Sequence, residues 1–239
     1  MRLAIIPARG GSKRLPRKNI RQFCGQPMIA WSIAAAQESG LFNAVVVSTD
    51  DAEIADLARR LGASVPFMRP AQLADDHTGT GAVVGHAVDW FDQQGQAVTE
   101  ACCLYATAPF VQAKDLREGL GKLQATGCDY VFSATSFAFP IQRALQITEN
   151  GGVVMLQPEH RHTRSQDLPE AFHDAGQFYW GTADAWRCGR PVFGTSSRPH
   201  LLPRHRVQDI DTPEDWQRAE WLFKAQQAQH LNDNGRRHA

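Results

Sequence analysis

The chain begins with an apolar run that leads directly into a glycine-rich basic loop: LAIIPA at residues 3–8 is followed by RGGSKRLPRKN at residues 9–19. The apolar run predicts a short buried strand. The loop contains two adjacent glycines and five cations, which are Arg9, Lys13, Arg14, Arg17 and Lys18. Glycine lets backbone N–H groups approach phosphate oxygens, and lysine and arginine neutralise the phosphate charge. A strand that ends in such a loop suits the binding of a triphosphate.

This loop does not match the two best-known phosphate-binding motifs. It contains neither GxxxxGKS/T nor GxGxxG, the signatures of P-loops and of dinucleotide-binding folds. A basic loop is also typical of a solvated turn or of a nucleic-acid patch. From spacing alone, all three interpretations stay open.

Apolar runs alternate with helical patterns over the first half of the chain. Strands are predicted at residues 44–48, 101–106 and 130–134, and helices at residues 28–39, 51–61, 80–92 and 114–125. This alternation predicts an α/β fold with a doubly wound, mainly parallel sheet. Ligands of such sheets bind beyond the carboxyl ends of the strands, where Arg9, Asp50 and Thr107 lie.

Residues 137–175 interrupt this alternation, because they are rich in Pro, His and Arg and have weak apolar periodicity. The simplest interpretation is a long surface loop, although structureless loops of this length are uncommon in compact domains. Further on, Thr212 followed by Pro213 and two acidic residues predicts a helix start. We expect that helix to end near Ala228, so that residues 1–228 form one domain and residues 229–239 a frayed tail.

The composition argues against several classes of protein. The 239 residues include 25 basic and 25 acidic side chains, and zero net charge gives no overall field that would attract nucleic acid or a membrane. No apolar run approaches the ~18 residues of a membrane span, and no signal peptide is visible. The five cysteines lack CxxC spacing, as expected of reduced thiols. We therefore expect a cytoplasmic protein that binds small molecules, with neither nucleic-acid nor membrane partners.

Four segments resemble the sugar-acid cytidylyltransferases, the family that includes the CMP-sialic acid synthetases. They are residues 6–20, 47–51, 69–76 and 209–213, and the resemblance extends to about residue 225. It implies an enzyme that joins CMP from CTP to a nine-carbon sugar acid and releases pyrophosphate. It also implies a Rossmann-like fold of the nucleotide-diphospho-sugar transferase type, in which residues 137–175 form a dimerisation arm that packs on the second subunit of a homodimer.

Three further segments resemble the branch of this family that acts on pseudaminic acid, namely residues 139–145, 164–171 and 173–181. The sialic acid branch has Asn-Gly-Ala-Ile-Tyr where this chain has AGQFY at residues 175–179, and Gln-Pro-Thr-Ser-Pro where it has YATAP at residues 105–109. Both segments contact the sugar in the family, so the resemblance implies a different sugar and the same reaction. The alternatives are sialic, legionaminic or keto-octulosonic acid as substrate, or a non-catalytic nucleotide-binding homologue.

The resemblance also assigns the residues expected to bind CTP. Arg9, Lys13 and Lys18 would clamp the phosphates, a role that Arg14 and Arg17 could equally fill from spacing alone. The other expected nucleotide contacts are Ala8, Gly11, Ser12, Asn19, Arg69 and Thr80. Two of these have a structural alternative, since Asn19 could form a turn and Thr80 could be a helix N-cap.

Asp209 and Asp211 lie two residues apart on a segment expected to be extended, so their carboxylates project to one side. Two carboxylates form a hard oxygen site for Mg²⁺, which also takes phosphate oxygens and water. Alternatively, Asp211 caps the following helix while Asp209 pairs with Arg206. The resemblance favours the metal site. It also implies Arg9, Lys18 and Asp211 as the catalytic residues, because charge neutralisation and alignment dominate a reaction between two anions.

On the sugar side, the resemblance suggests that Arg164 pairs with the sugar carboxylate, since guanidinium matches carboxylate bidentately. Sugar hydroxyl and N-acyl groups would contact Tyr105, Asp174, Gln177 and Tyr179. The base that takes the hydroxyl proton stays open at this point. A metal-bound water or an aspartate could accept that proton, and lone loop histidines are more often polar surface.

Overall fold

A computed structural model describes residues 1–75 and 78–237, with side chains through residue 229. The strands are β1 (Arg2–Pro7), β2 (Gln22–Phe23), β3 (Gln26–Pro27), β4 (Ala44–Ser48), β5 (Glu100–Leu104), β6 (Tyr130–Ser136), β7 (Leu145–Ile147), β8 (Val153–Met155), β9 (Phe172–Thr182) and β10 (Ser197–Leu201). The α-helices are α1 (Met28–Ser39), α2 (Ala52–Arg60), α3 (Thr80–Gln93), α4 (Ala113–Thr126), α5 (Ala183–Arg187) and α6 (Pro213–Arg237).

Six strands form one sheet in the order β10-β6-β9-β5-β1-β4. β1 pairs in parallel with β4 and β5, and β10 pairs in parallel with β6. β9 lies between β5 and β6 and is antiparallel to both. The other five strands therefore run in one direction, and their carboxyl ends meet at one edge. The predicted α/β fold with a mainly parallel sheet is confirmed.

Helices cover both faces of the sheet, because alternate residues of a buried strand point to opposite faces. In β1, Ala4 and Ile6 pack in a cluster with residues of α1, α2 and α4. Leu3 and Ile5 pack on the other face with residues of α3 and α5. All four side chains are fully buried, and removing apolar surface from water on both faces stabilises the strand.

A third apolar cluster joins the last helix to the loop that follows β1. Trp216 and Phe223 of α6 pack there with Leu15 of the loop and with Phe23. Ile210, which lies just before α6, is fully buried in the same cluster. The cluster therefore fixes residues 209–211 beside the basic loop, although the two segments come from opposite ends of the chain.

Some element boundaries differ from the predictions. The helix over residues 28–39 and the strand over residues 44–48 have the predicted bounds. β5 ends at Leu104 and not at residue 106. β6 is two residues longer than predicted because Thr135 and Ser136 pair with the beginning of β9.

Residues 137–171 form an arm that contains the antiparallel hairpin of β7 and β8. The predicted insertion ended at residue 175, whereas β9 begins at Phe172 and His173 and Asp174 pair with β6. Residues 172–175 therefore belong to the central sheet, because their backbone groups complete the pairing of the end of β6.

The last helix continues beyond the predicted end at Ala228, and residues 229–237 of the expected tail are helical. The polar composition of this stretch, including Asn, Asp and Gly at residues 232–235, suggested fraying, but no proline interrupts it and the helix continues through it. His238 and Ala239 lie outside the described residues. In the described part of the chain, no helix is long and apolar enough to cross a bilayer.

Candidate active site

A cavity of about 610 Å³ opens at the carboxyl edge of the sheet, beside the ends of β1 and β5. The residues that line it are Pro7, Arg9, Ser12, Lys13, Arg14, Lys18, Asn19, Arg69, Leu73, Asp75, Thr78, Thr80, Val83, Tyr105, Ala106, Thr107 and Asp211. Charged and hydrogen-bonding side chains dominate this lining. Such a lining suits an anionic ligand with many polar groups.

Four of the five cations of the basic loop line the cavity, and they are Arg9, Lys13, Arg14 and Lys18. Arg17 turns away from it, because its backbone is left-handed, with φ 58°. The Arg17 guanidinium forms ion pairs with Asp51 and Glu53 at the start of α2. The geometry therefore places Arg14, and not Arg17, beside the three cations that the resemblance assigned.

Hydrogen bonds hold both ends of this loop. The Gly10 N–H donates to Oδ1 of Asp50 (3.0 Å), and Asn19 Nδ2 donates to the Arg9 carbonyl oxygen (3.0 Å). A Cβ atom at position 10 would lie 2.6 Å from Oδ2 of Asp51, so the loop requires glycine there. Asn19 is buried and also lines the cavity, so one residue both supports the loop and faces the ligand space.

Among the other predicted nucleotide contacts in this region, Ser12 lines the cavity and Ala8 and Gly11 do not. Ala8 is fully buried, and its N–H donates to the Ser48 carbonyl oxygen (2.9 Å). Gly11 is exposed, and a Cβ atom added to it would have nothing within 4 Å. Contacts of Ala8 and Gly11 with a nucleotide stay predictions.

Asp211 lies against the basic loop and is held by two of its cations. Lys18 Nζ is 3.1 Å from Oδ1 of Asp211, and Arg14 Nη2 is 2.6 Å from Oδ2. Lys18 also donates to the Ile210 carbonyl oxygen (3.0 Å). The carboxylate from the C-terminal part of the chain therefore balances part of the positive charge at the cavity wall.

The two structural roles considered for the aspartates are wrong. Thr212 Oγ1 accepts from the Asp215 N–H (3.2 Å), and Oδ2 of Asp215 accepts from the Thr212 N–H (2.8 Å). This reciprocal pair is a capping box, so Asp211 is not the helix cap. Arg206 pairs with Asp115 of α4 and not with Asp209.

Asp209 is exposed at the edge of the site and does not line the cavity. Partial burial of its carboxyl group and the like charge of Asp211 raise the pKa of Asp209. The charge of Lys18 partly offsets these two effects, so both the loop cation and the second carboxylate influence Asp209. The donor set of Asp209 and Asp211 fits Mg²⁺, a hard cation that takes a few carboxylate oxygens and completes its shell with phosphate and water.

Arg69 is a buried cation in the wall of the cavity. Its Nε donates to Ser48 Oγ (3.2 Å), and its Nη2 donates to the Ser48 carbonyl oxygen. Burial lowers the pKa of Arg69, although the charge of Asp50 opposes this effect. Because the surroundings are poorly solvated, a hydrogen bond from this guanidinium to a ligand is stronger than one at the surface.

A series of polar contacts leads from the cavity wall to β9. Thr80 Oγ1 lies 3.4 Å from Tyr105 Oη, and the Tyr105 and Tyr179 ring centroids are 5.2 Å apart. The Tyr179 hydroxyl donates to Oδ2 of Asp174. Burial raises the pKa of both tyrosines, so they stay protonated at neutral pH. Gly79 is the N-cap of α3, so Thr80 does not have that alternative role.

Tyr105 lines the cavity, and the other four predicted sugar contacts do not. Two of those four, Gln177 and Arg164, bond to other parts of the chain. Gln177 is 3% exposed, and its Nε2 donates to the Arg206 carbonyl oxygen (2.6 Å). A register shift between β6 and β9 occurs beside Gly176, whose φ is 62°, and such bulges re-aim neighbouring side chains. Arg164 is exposed on the arm and pairs with Asp167 (2.7 Å).

The structure adds cavity residues that the sequence analysis did not assign. Arg9 Nη1 donates to the Asp75 carbonyl oxygen (3.1 Å), and Thr78 Oγ1 lies 2.7 Å from Oδ1 of Asp75. Asp75 and Thr78 both lie in the segment between Arg69 and α3. The resemblance of residues 69–76 to the family was the signal in the sequence that could have identified this segment. Asp76, in that resemblance, and His77 lie outside the described residues.

Comparisons with known proteins agree with this geometry. A family model described as cytidylyltransferase matches residues 3–182. The chain belongs to the cytidylyltransferase family. Two curated relatives of this cytidylyltransferase, both pseudaminic acid cytidylyltransferases from Campylobacter jejuni, are 46% identical over 222 residues, which cover 93% of this chain and 96% of theirs. The CMP-N,N'-diacetyllegionaminic acid synthase of Legionella pneumophila is 34% identical over 235 residues, covering 94% and 97%.

Two solved structures share the fold of this cytidylyltransferase at low sequence identity. A CMP:2-keto-3-deoxy-manno-octonic acid synthetase, solved with CTP, superposes with a TM-score of 0.67 and 16% identity, covering 94% of this chain and 99% of the other. The 4-diphosphocytidyl-2C-methyl-D-erythritol synthase of Anaerococcus prevotii gives a TM-score of 0.61 and 12% identity, covering 93% and 98%. The fold is therefore of the nucleotide-diphospho-sugar transferase type, as expected.

Proposed function

We propose that this enzyme transfers CMP from CTP to the anomeric hydroxyl of pseudaminic acid and releases pyrophosphate. The observation that carries the proposal is one cavity in which Arg9, Lys13, Arg14 and Lys18 meet Asp211 at the carboxyl edge of the sheet. The identity of the sugar is supported by the relatives that are 46% identical. Because CTP is an intracellular nucleotide, we place the reaction in the cytoplasm.

The loop cations act on the triphosphate in this proposal. Arg9, Lys13 and Lys18 clamp the phosphates, and Arg14 is a fourth cation beside them. They neutralise charge that develops on the α-phosphate and on the leaving group, which is the largest catalytic effect available to such a site. The anomeric oxygen bonds to the α-phosphorus, the bond from that phosphorus to the bridging oxygen breaks, and the hydroxyl proton passes to a base.

We assign Asp209 and Asp211 to a Mg²⁺ site on the chemistry of their two carboxylates. Mg²⁺ bound there would supply charge neutralisation at the α-phosphate and at the leaving pyrophosphate. Lys18 and Arg14 pair with the carboxylate of Asp211. Binding of CTP would draw these two cations toward phosphate oxygens and leave the carboxylate oxygens of Asp211 available.

We assign neighbouring parts of the cavity wall to the two substrates, which meet where Thr80 contacts Tyr105 (3.4 Å). Arg69 and Thr80 lie on the side that we assign to the nucleoside, together with the backbone at Ala8. Tyr105 faces the space that we assign to the sugar, and the Tyr179–Asp174 pair supports it from behind. Ser12, Gly11 and Asn19 complete the phosphate loop, whereas Arg164 would approach a sugar only if the arm moved or a second subunit contributed it.

We also propose that the arm packs on a second copy of the chain to form a homodimer. On one face the hairpin exposes three large apolar side chains, namely Leu145, Ile147 and Val153, because Ile147 pairs with Val153 and Leu145 lies two residues before Ile147. Exposed apolar patches of this kind mark interaction surfaces. Covering them with the same patch of another subunit removes apolar surface from water on both chains.

Pyrophosphate release from CTP and Mg²⁺ tests the reaction, with pseudaminic, legionaminic and sialic acids offered separately. We expect release with pseudaminic acid alone. Release with legionaminic acid would favour the second candidate function, which rests on the 34% identical legionaminic acid relative. Binding of CTP without release for any of these acids would favour an untested sugar acid or a non-catalytic homologue.

A further inference from the structure

The segment that carries Asp209 and Asp211 has no regular secondary structure of its own. Residues 207–211 lie between a single 3₁₀ turn, Arg204–Arg206, and the first turn of α6. Its C-terminal end is held well, because Ile210 is buried and the Asp211 N–H donates to Oδ2 of Asp215 (3.2 Å). Asp209 itself is held by a neighbour, since Gln208 Nε2 donates to its carbonyl oxygen (2.7 Å), and its position also depends on how the N-terminal end of the segment is held.

That end is held by Arg206, which is 5% exposed and bound on two sides. Its guanidinium donates to the carboxylate of Asp115 and to Oε1 of Gln112 (2.9 Å), at the start of α4. Its carbonyl oxygen accepts the bond from Nε2 of Gln177, which is itself buried in β9. The side chain of Arg206 is thus tied to the start of α4, and its main chain to β9 of the central sheet.

We propose that Gln177 is a positioning residue that sets the Asp209 and Asp211 carboxylates through the Arg206 main chain. The inference rests on the proposed function of these two carboxylates as a cation site. Arg206 lies only three residues before Asp209, so a fixed carbonyl at one end and the α6 cap at the other leave the segment few conformations. The Arg206 and Val207 N–H groups bond only within the local turn, to the Pro203 and Arg204 carbonyl oxygens (2.9 and 3.1 Å). The bond from Gln177 ties this turn's backbone to the central sheet, whereas Asp115 holds the Arg206 side chain.

This role differs from the sugar contact that the resemblance suggests for Gln177. A side chain that is 3% exposed and absent from the cavity lining has no surface to offer a sugar. Groups that orient metal ligands affect metal affinity strongly, and their loss typically costs 10- to 100-fold. Loss of a sugar contact would instead raise the KM for the sugar alone.

The test compares the wild type with Gln177→Met, which keeps the side-chain volume and removes the donor. Gln177→Asn, whose shorter amide does not reach the carbonyl, is the second variant. Tyr130→Phe is the matched control, because it removes a bond from a buried side chain to the Arg190 carbonyl oxygen (3.0 Å). Tyr130 begins β6, at the sheet edge opposite the cavity.

The readouts are hydrogen exchange of the peptide that covers residues 203–211, Mn²⁺ affinity in the presence of CTP, and the KM for pseudaminic acid. We expect both Gln177 variants to exchange faster and to bind Mn²⁺ about tenfold more weakly, with an unchanged sugar KM. The control should change none of the three. Wild-type exchange and Mn²⁺ affinity in both variants, or a raised sugar KM alone, would overturn the proposal.

Failure of the proposed function would look different. If the wild type bound CTP but no Mn²⁺, the cation site would be wrong. Faster exchange in the Gln177 variants would then still support the role of Gln177 in holding the segment. If pseudaminic acid were not the substrate, the wild type would show no turnover with it. The exchange and Mn²⁺ measurements do not depend on that sugar.

Discussion

Lys18 and Asp211 form an ion pair of 3.1 Å that links the basic loop to the segment before the last helix. Arg14 Nη2 lies 2.6 Å from the other carboxylate oxygen of Asp211, Oδ2. The pair is partly shielded from water, since the Lys18 and Asp211 side chains are 22% and 30% exposed. Loss of Asp211 removes the carboxylate that pairs with two cations, and loss of Lys18 leaves Arg14 as the cation paired with Asp211.

Lys18→Met and Asp211→Asn should each lower kcat at least ~100-fold, the scale of losing one charge-stabilising group in a transition state. Steady-state pyrophosphate release measures this, with Tm as the check on folding. Arg17→Asn is the control, because Arg17 belongs to the same loop but faces Asp51 and Glu53. Asparagine tolerates the left-handed backbone at that position. Near-normal turnover in either test variant would remove that residue from its assigned role.

Arg69→Lys should weaken CTP binding about tenfold, because lysine cannot reproduce the forked hydrogen bonds of a buried guanidinium. Calorimetric titration with CTP gives the Kd directly. Arg117→Lys is a suitable comparison, since Arg117 bonds to the carbonyl oxygens of Glu38 and Ser39, outside the cavity lining. Equal affinity of the Arg69→Lys variant and the wild type would place the nucleoside elsewhere.

Gly119→Ala and Gly121→Ala should shift the free energy of unfolding in opposite directions, although both lie in α4. A Cβ at Gly119 would lie 2.9 Å from Trp180 and 3.0 Å from Phe178, and overpacking of this kind costs about 1–3 kcal/mol. Gly121 is exposed with open space around it, so alanine there stabilises the helix by about 0.5–1 kcal/mol. Urea unfolding monitored by tryptophan fluorescence measures both, and shifts of the same sign would contradict the packing described.

Stability should fall in acid partly through Asp51. The hydrogen bond from Arg17 holds the pKa of Asp51 below its usual range. Since the folded pKa is the lower one, the ionised carboxylate stabilises the fold above about pH 4, and this contribution is lost as the pH falls through the folded pKa. The wild type should exceed Asp51→Asn in urea midpoint at neutral pH and approach it in acid. A difference that does not vary with pH would contradict this assignment.

Ile147→Asp should convert the proposed dimer to a monomer, because it places a charge in the apolar face of the arm. Trp221→Lys, which changes an equally prominent apolar side chain outside the arm, should leave the assembly unchanged. Sedimentation velocity over a range of concentrations shows whether each variant is a monomer or a dimer. A wild type that sediments as a monomer at all concentrations would count against the dimer itself.

Local pattern was sufficient to predict most of the sheet and the site's location. The apolar run at residues 3–8, the start of α2 at Asp51 and the capping box at Thr212 each depend on neighbours in sequence. The edge where the cavity lies follows from the parallel strands alone. The resemblance added the chemistry of the reaction.

Features set by distant contacts could not be predicted. Whether Arg14 or Arg17 faces the cavity depends on a left-handed residue and on an ion pair with α2. The direction of Gln177 depends on a register shift between two strands that are far apart in sequence. The buried Arg206–Asp115 pair appears in the sequence as two unrelated charges.

The separation of Lys18 and Asp211 in the sequence also determines when, during synthesis of the chain, this ion pair can form. The two residues are 193 positions apart, so the basic loop leaves the ribosome long before Asp211 is synthesised. Contacts between such distant positions form late, because a long loop must close first. A nascent or truncated chain therefore carries the basic loop without Asp211, and this wall of the cavity is complete only after residues 209–211 and the last helix have been synthesised.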